Sequence, residues 1–181
     1  MTKAWMLGCA AALALAGCGD SEEPVTTERA AEAAGDATLA AGLDDDRKLA
    51  AAVQAAGLEA TLAGPGPYTL LAPSDAAFDK LPAGAVDTLM KPESRTELTA
   101  VLTHHILPGT MLAADIGKAI DAGGGKALIA TMGGGTLTAT REGDNIVFTD
   151  SAGTKAVVTA ADLKRSNGVA HRVDSVLMPS S

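Results

Sequence analysis

The sequence predicts an α+β domain, with helices first and strands after. Three observations carry this. Leu49, Ala52, Val53 and Ala56 recur at helical spacing before Gly57, and Leu98, Val101 and Leu102 form a second stripe of the same kind. From Lys126 onward the period changes to two, with short alternating runs divided by glycine-bearing turns. Between these halves' first elements lies Tyr68-Thr-Leu-Leu-Ala-Pro-Ser-Asp-Ala-Ala-Phe-Asp-Lys-Leu81, where a short apolar strand turns directly into a helix.

Taken in order, residues 1–17 have the layout of an export signal, with Lys3 as the positive end, an apolar run over 6–16, and Leu15-Ala-Gly-Cys18 as a small-residue cleavage site. The apolar run is shorter than the roughly 20 residues a membrane-spanning helix needs. Its end resembles the bacterial lipobox, which implies a diacylglycerol on Cys18 and cleavage before it. Gly19 lacks an acidic retention signal, which points to the outer membrane. Cys9 falls in the discarded segment and Cys18 carries lipid, so the exported domain has neither thiol nor disulfide and depends on a packed core. Residues 18–35 are small, polar and acidic and read as a flexible tether; the domain proper is assigned to 36–181.

The formal net charge is -8, and removing residues 1–17 takes away one cation, Lys3, leaving -9. With no Lys/Arg cluster and only 2% aromatic residues, nucleic-acid binding is excluded. Tyr68, Phe78 and Phe148 are too few to build an aromatic-lined sugar or cofactor pocket, and no cofactor is expected.

Within the domain, Asp44, Asp45 and Asp46 offer a cap and first-turn charge for the helix ending at Gly57. Strand 68–72 lies between Pro67 and Pro73; Ser74 then caps the next helix and Asp75 sets negative charge at its positive end. A short helix over 82–90 precedes a longer one over 93–103 that opens at Pro92. Pro108 disfavours helix at Leu107, so 104–109 becomes extended, and 113–122 is a weaker helix. Strands follow over 127–131, 136–141, 145–149, 156–160 and 169–178, with 162–166 as one helical turn or a loop.

Three motifs in order resemble the fasciclin (FAS1) domain family: Thr69-Leu-Leu-Ala-Pro-Ser-Asp-Ala-Ala-Phe78, His105-Ile-Leu-Pro-Gly109, and the stretch from Asn167 to Pro179. The resemblance implies a wedge-like β-sandwich flanked by helices and a role in adhesion or in binding a protein or matrix ligand. It assigns structural roles to Ser74, Asp75, His105, Asn167, Gly168, His171 and Asp174. The sequence departs from the pattern at His104, where a Tyr is common, and at Ala170 and Arg172, which replace apolar residues and predict a last strand less covered on one face.

His104, His105 and His171 are the candidate chemical groups. His171 alternates with Val169 and Val173 and reads as a structural histidine, and the three lack zinc-pair spacing, so no metal site is expected. His105 continues the Leu98 stripe and should be buried and bonded to the opening turn near Ser74 or Asp75. No Gly-x-Ser-x-Gly, Ser-x-x-Lys or His-Glu-x-x-His occurs, so no catalytic residue is assigned. The reading is a lipid-anchored, non-enzymatic envelope module that binds through His104, Ile106, Leu107 and Pro108. The alternative is a periplasmic hydrolase or small-ligand binder using His104, His105 and Asp75. A deep pocket joining those three favours the alternative, and a filled interior the first.

Overall fold

The structure is a computed structural model that describes residues 37–43 and 46–179. The export signal, Cys18, the tether, Asp44 and Asp45 lie outside the described residues. Helices α1 (Arg47–Ala56) and α2 (Glu59–Ala63) lead into strand β1 (Tyr68–Pro73). Helices α3 (Asp75–Asp79) and α4 (Ala85–Leu89), a 3-10 turn (Pro92–Ser94) and α5 (Arg95–His104) come next, then β2 (Ile106–Pro108) and α6 (Ala113–Ala122). The chain ends in β3 (Lys126–Ala130), β4 (Thr136–Glu142), β5 (Asn145–Thr149), β6 (Lys155–Arg165) and β7 (Gly168–Val173). This is the α+β order the two periods predict.

Among the described residues the strands form a seven-stranded sheet in the order β2-β1-β7-β6-β5-β4-β3, with β1 and β7 parallel and the other pairs antiparallel. Lys155, Ala156 and Val157 of β6 pair with β5 and the residues from Val158 to Arg165 with β7, and two register irregularities interrupt the β6–β7 ladder between Val158 and Leu163. Such bulges bend a strand, so the sheet folds back on itself. Met132 N–H then donates to the Ile106 carbonyl at 2.8 Å and Gly133 N–H to the Thr103 carbonyl at 3.0 Å, drawing the end of β3 to the start of β2.

Alternation along β1 feeds two cores. Leu70 and Ala72 pack with Phe78, Val53, Leu98 and Val101 under the helices. Leu71 points the other way and joins Leu107, Ile116, Leu137, Phe148 and Val173 inside the folded sheet. A strand buried on both faces must be apolar throughout, which is why this stretch reads as a continuous run. On α1 the predicted face, Leu49, Ala52, Val53 and Ala56, is buried, and Gly57 ends the helix at φ 74°.

Three local readings are corrected. Residues 162–166 are neither helix nor loop: Asp162 adopts φ 58° at the bulge and the strand resumes, Leu163, Lys164 and Arg165 pairing with Ala170, Val169 and Gly168. The last strand stops at Val173, because Asp174 turns its carboxylate onto Val157 N–H at 2.8 Å and the chain leaves the ladder with Val176 and Leu177 buried. Asp46 stands at the N-cap of α1 without a capping bond; its carboxylate takes the Arg172 guanidinium at 2.9 Å instead. That pair covers the face that the exceptional Arg172 would otherwise leave bare, and Ala170 is buried.

Candidate functional site

The opening turn is built locally. Ser74 N–H donates to the Val173 carbonyl at 3.1 Å, and its hydroxyl oxygen accepts from Ala77 N–H at 3.3 Å, capping α3. Asp75 works outward: its carboxylate accepts from Lys48 N–H at 2.9 Å, capping α1 from a different element. Lys48 in turn reaches the Asp79 carboxylate, so α1 and α3 are tied end to end.

His105 is fully buried, and neither ring nitrogen is free. Leu177 N–H donates to Nε2 at 3.0 Å, so the neutral ring carries its proton on Nδ1 and donates to the Val101 carbonyl at 2.8 Å. The expected tie to Ser74 or Asp75 is therefore replaced by one to the final segment of the chain. Burial holds the His105 pKa down at about 4, against the Val101 carbonyl, which favours the charged ring.

His104, Ile106 and Leu107, expected to offer a binding surface, are buried, and of the four residues proposed there only Pro108 is exposed. His104 is 2% exposed because the 133–135 turn folds over it: a Cβ on Gly135 would stand 2.7 Å from the imidazole. Its Nδ1 shares a hydrogen bond with the Thr131 hydroxyl at 3.3 Å, while Nε2 is buried without a protein partner. Burial lowers its pKa, and the nearby Asp150 carboxylate opposes this.

The third motif ties distant pieces together. The Asn167 side chain accepts from Leu39 N–H at 2.8 Å and donates to the Leu62 and Gly64 carbonyls, each at 2.8 Å. Gly168 lies so close to β1 that a Cβ would sit 2.0 Å from the Tyr68 carbonyl oxygen. His171 accepts from Asp162 N–H at 3.2 Å and donates through Nε2 to the Met111 carbonyl at 2.8 Å. Partial burial pushes the Asp174 carboxyl up, but Lys80, Val157 N–H and the Ser175 hydroxyl outweigh it and hold the pKa below its ordinary value.

Sequence reasoning passed over two carboxylates that do comparable work. Buried Asp150 accepts from Thr154 N–H at 2.8 Å and Met178 N–H at 2.9 Å, and Asp162 caps α6 through Ala113 N–H at 2.8 Å. Asp150 was legible as the first residue of an Asp-Ser-Ala-Gly turn, a position that favours Asp. Asp162 had no local signal.

These residues do not converge on a reaction centre. Asp75 is committed to α1, Ser74 to its own helix, and His105 to two backbone groups. The cavity touching His105 is about 10 Å³ and walled by Phe78, Leu89, Leu98 and Val101. That is room for about one water, where small-molecule sites occupy roughly 300–1,000 Å³. Among the described residues no group of three His, Cys, Asp or Glu side chains is placed to hold a metal ion.

The fasciclin domain model matches residues 45–179. The chain belongs to the fasciclin (FAS1) domain family. Protein sll1483 of Synechocystis sp. is 36% identical over 165 residues, covering 87% of this chain and 84% of that one. The transforming growth factor-beta-induced protein ig-h3 of Sus scrofa is 37% identical over 139 residues, which are 76% of this chain but 18% of that protein. Immunogenic protein MPB70 of Mycobacterium bovis is 32% identical over 63% of this chain and 51% of its own length. The fold matches a FAS1 domain pair from the insect cell adhesion molecule fasciclin I, with a TM-score of 0.68 at 17% identity over 77% of this chain and 50% of that one. In this fasciclin domain the three motifs come together as one bonded frame: the first supplies β1 and the α3 cap, the second β2 and the His105 latch, and the third β7 with Asn167.

Proposed function

We propose that this fasciclin domain is a lipid-anchored, non-enzymatic recognition module of the bacterial cell envelope that binds a protein or matrix ligand through its surface. The observation that carries the reading is the filled interior: His105 and Asp75 bond to the domain's own backbone and His104 is buried against Thr131, so function falls to the exterior. The insect protein with this fold is an adhesion molecule, which supports the same class.

The recognition end centres on exposed Pro108. Buried Ile106 and Leu107 hold it in place, with Tyr68 paired to Pro108 and Gly109 N–H donating to the Pro67 carbonyl at 3.0 Å. A segment fixed in this way loses little entropy on binding. Pro108→Glu is expected to leave the melting temperature within about 2 °C of wild type, since the side chain is exposed, and to weaken binding of the soluble protein to cells or matrix. Unchanged binding moves the recognition surface elsewhere. Ester hydrolysis by the purified protein, lost in a folded His105 variant, would replace this reading with the hydrolase.

Attachment rests on Cys18, since two or more acyl chains are needed for lasting anchorage. Cys18→Ser is expected to move the protein from the membrane pellet to the soluble fraction after a carbonate wash. Retention at the wild-type level rules out the lipid anchor.

A further inference from the structure

The chain has two asparagines, Asn145 and Asn167, and they stand in opposite chemical settings. Asn145 precedes Ile146, whose branched side chain crowds the peptide nitrogen between them, whereas Asn167 precedes Gly168, which leaves that nitrogen open. An open nitrogen beside an asparagine amide is the condition for deamidation. We propose that Asn167 is a modification site masked by the folded domain: it deamidates only while the third motif is undocked, and the chain then cannot regain its full stability.

The reaction needs no partner but water. The Gly168 backbone nitrogen attacks Asn167 Cγ and gives up its proton, the new C–N bond closes a succinimide ring, and the bond from Cγ to Nδ2 breaks, releasing ammonia. Water then opens the ring at either carbonyl, leaving aspartate or isoaspartate at position 167. Neither product restores the frame. Aspartate turns an oxygen onto the Leu62 and Gly64 carbonyls in place of a donor, and isoaspartate adds a methylene to the backbone where β7 begins its register with β1.

The fold both requires this labile pair and guards it. Position 168 must be glycine, because a Cβ there would stand 2.0 Å from the Tyr68 carbonyl oxygen. Position 167 needs one short side chain that accepts from Leu39 and donates to Leu62 and Gly64, which an asparagine amide does. Ring closure draws Cγ onto the Gly168 nitrogen, a movement these three bonds oppose. The backbone is held as well: Tyr68 N–H donates to the Asn167 carbonyl at 3.2 Å, and Gly168 pairs with Arg165 across the turn and with Tyr68 of β1. Masking therefore belongs to the docked motif and lapses when β7 leaves β1.

The test holds the full chain at one mildly alkaline pH, either folded or in guanidinium chloride, and follows the Asn167 peptide by mass spectrometry. Conversion of amide to acid is expected in the denatured chain, and about a hundredfold more slowly or less in the folded one, where it must await opening of the motif. Asn145 is the internal control and should convert far more slowly than Asn167 in the denatured chain. Partly converted protein is then returned to native buffer and proteolysed briefly in moderate urea, which spares the more stable molecules; the survivors should be several-fold enriched in unmodified Asn167. Equal rates in the folded and denatured chains, Asn145 converting as fast as Asn167, or survivors with the same modified fraction as the starting mixture overturns the proposal.

Discussion

His105→Ala lowers the unfolding free energy by about 3–5 kcal/mol, as measured by urea denaturation at pH 7.5. The loss has two parts. Leu177 N–H and the Val101 carbonyl, both bonded to the ring, are left in a dry interior, each at a typical cost of about 1–3 kcal/mol. Removing the imidazole also enlarges the small apolar cavity beside it, and a packed core recovers only part of that loss by relaxing. A change below about 1 kcal/mol would show that the final segment is held by Val176 and Leu177 alone.

The same residue makes stability depend on pH in a defined window. The ring titrates near 6.5 when unfolded and near 4 when folded. Above 6.5 it is neutral in both states and the domain has its full stability. Between 6.5 and 4 the unfolded chain binds the extra proton, so stability falls with pH, by about 3 kcal/mol over the window, and this contribution levels off below it. Buried His104, whose pKa is also lowered, adds to the loss in the same direction. Asp174 acts further down: its depressed carboxyl withdraws stability only as the pH drops through and below the ordinary carboxylate range. Unfolding curves at pH 7.5, 5.5 and 4 should show the histidine loss, and His105→Leu should flatten it. A wild-type profile flat from 7.5 to 4 contradicts the latch.

Asn167→Ala is expected to cost about 2–4 kcal/mol, since its amide makes three bonds of about 0.5–1.5 kcal/mol each, to Leu39, Leu62 and Gly64. These join the segment before α1, the end of α2 and the β6–β7 turn, and Arg165 at the end of β6 adds a weaker tie to the Gly42 carbonyl at 3.3 Å. Asn167→Asp separates hydrogen bonding from size: it keeps the acceptor for Leu39 N–H but turns an oxygen onto two carbonyls, and should be no more stable than the alanine variant. Thermal melts decide between them. An aspartate variant as stable as wild type would show that the two carbonyl contacts carry no weight.

The elements that form from neighbours in sequence were legible in advance. The α1 stripe, the Ser74 cap and the 113–122 helix follow from spacing and local side-chain chemistry, and the structure has them where periodicity puts them. The stretch 162–166 was misread because Asp162 and the residues after it look like a loop in isolation. Their ladder partners, Gly168 to Ala170, lie across a turn, and a left-handed residue at a bulge resets the register. The site suffered most from this limit. Next to Pro108, His104 and Leu107 look like an accessible extended segment, yet glycines some 30 residues later cover His104 and the folded sheet encloses Leu107.

The sequence alone therefore determined the class of the fold, its family, the helical faces and the burial of His105, all of which depend on apolar spacing and motifs contained within short stretches. Only the tertiary structure decided which partner each polar group has: Asp75 caps α1, His105 holds Leu177, Asp46 pairs with Arg172, and Asn167 joins three segments. The physical reason is range. Hydrophobic burial is non-directional and leaves a periodic trace along the chain. A hydrogen bond instead needs one donor within about 3 Å of one acceptor, and folding sets that pairing between residues whose distance along the chain says nothing of it.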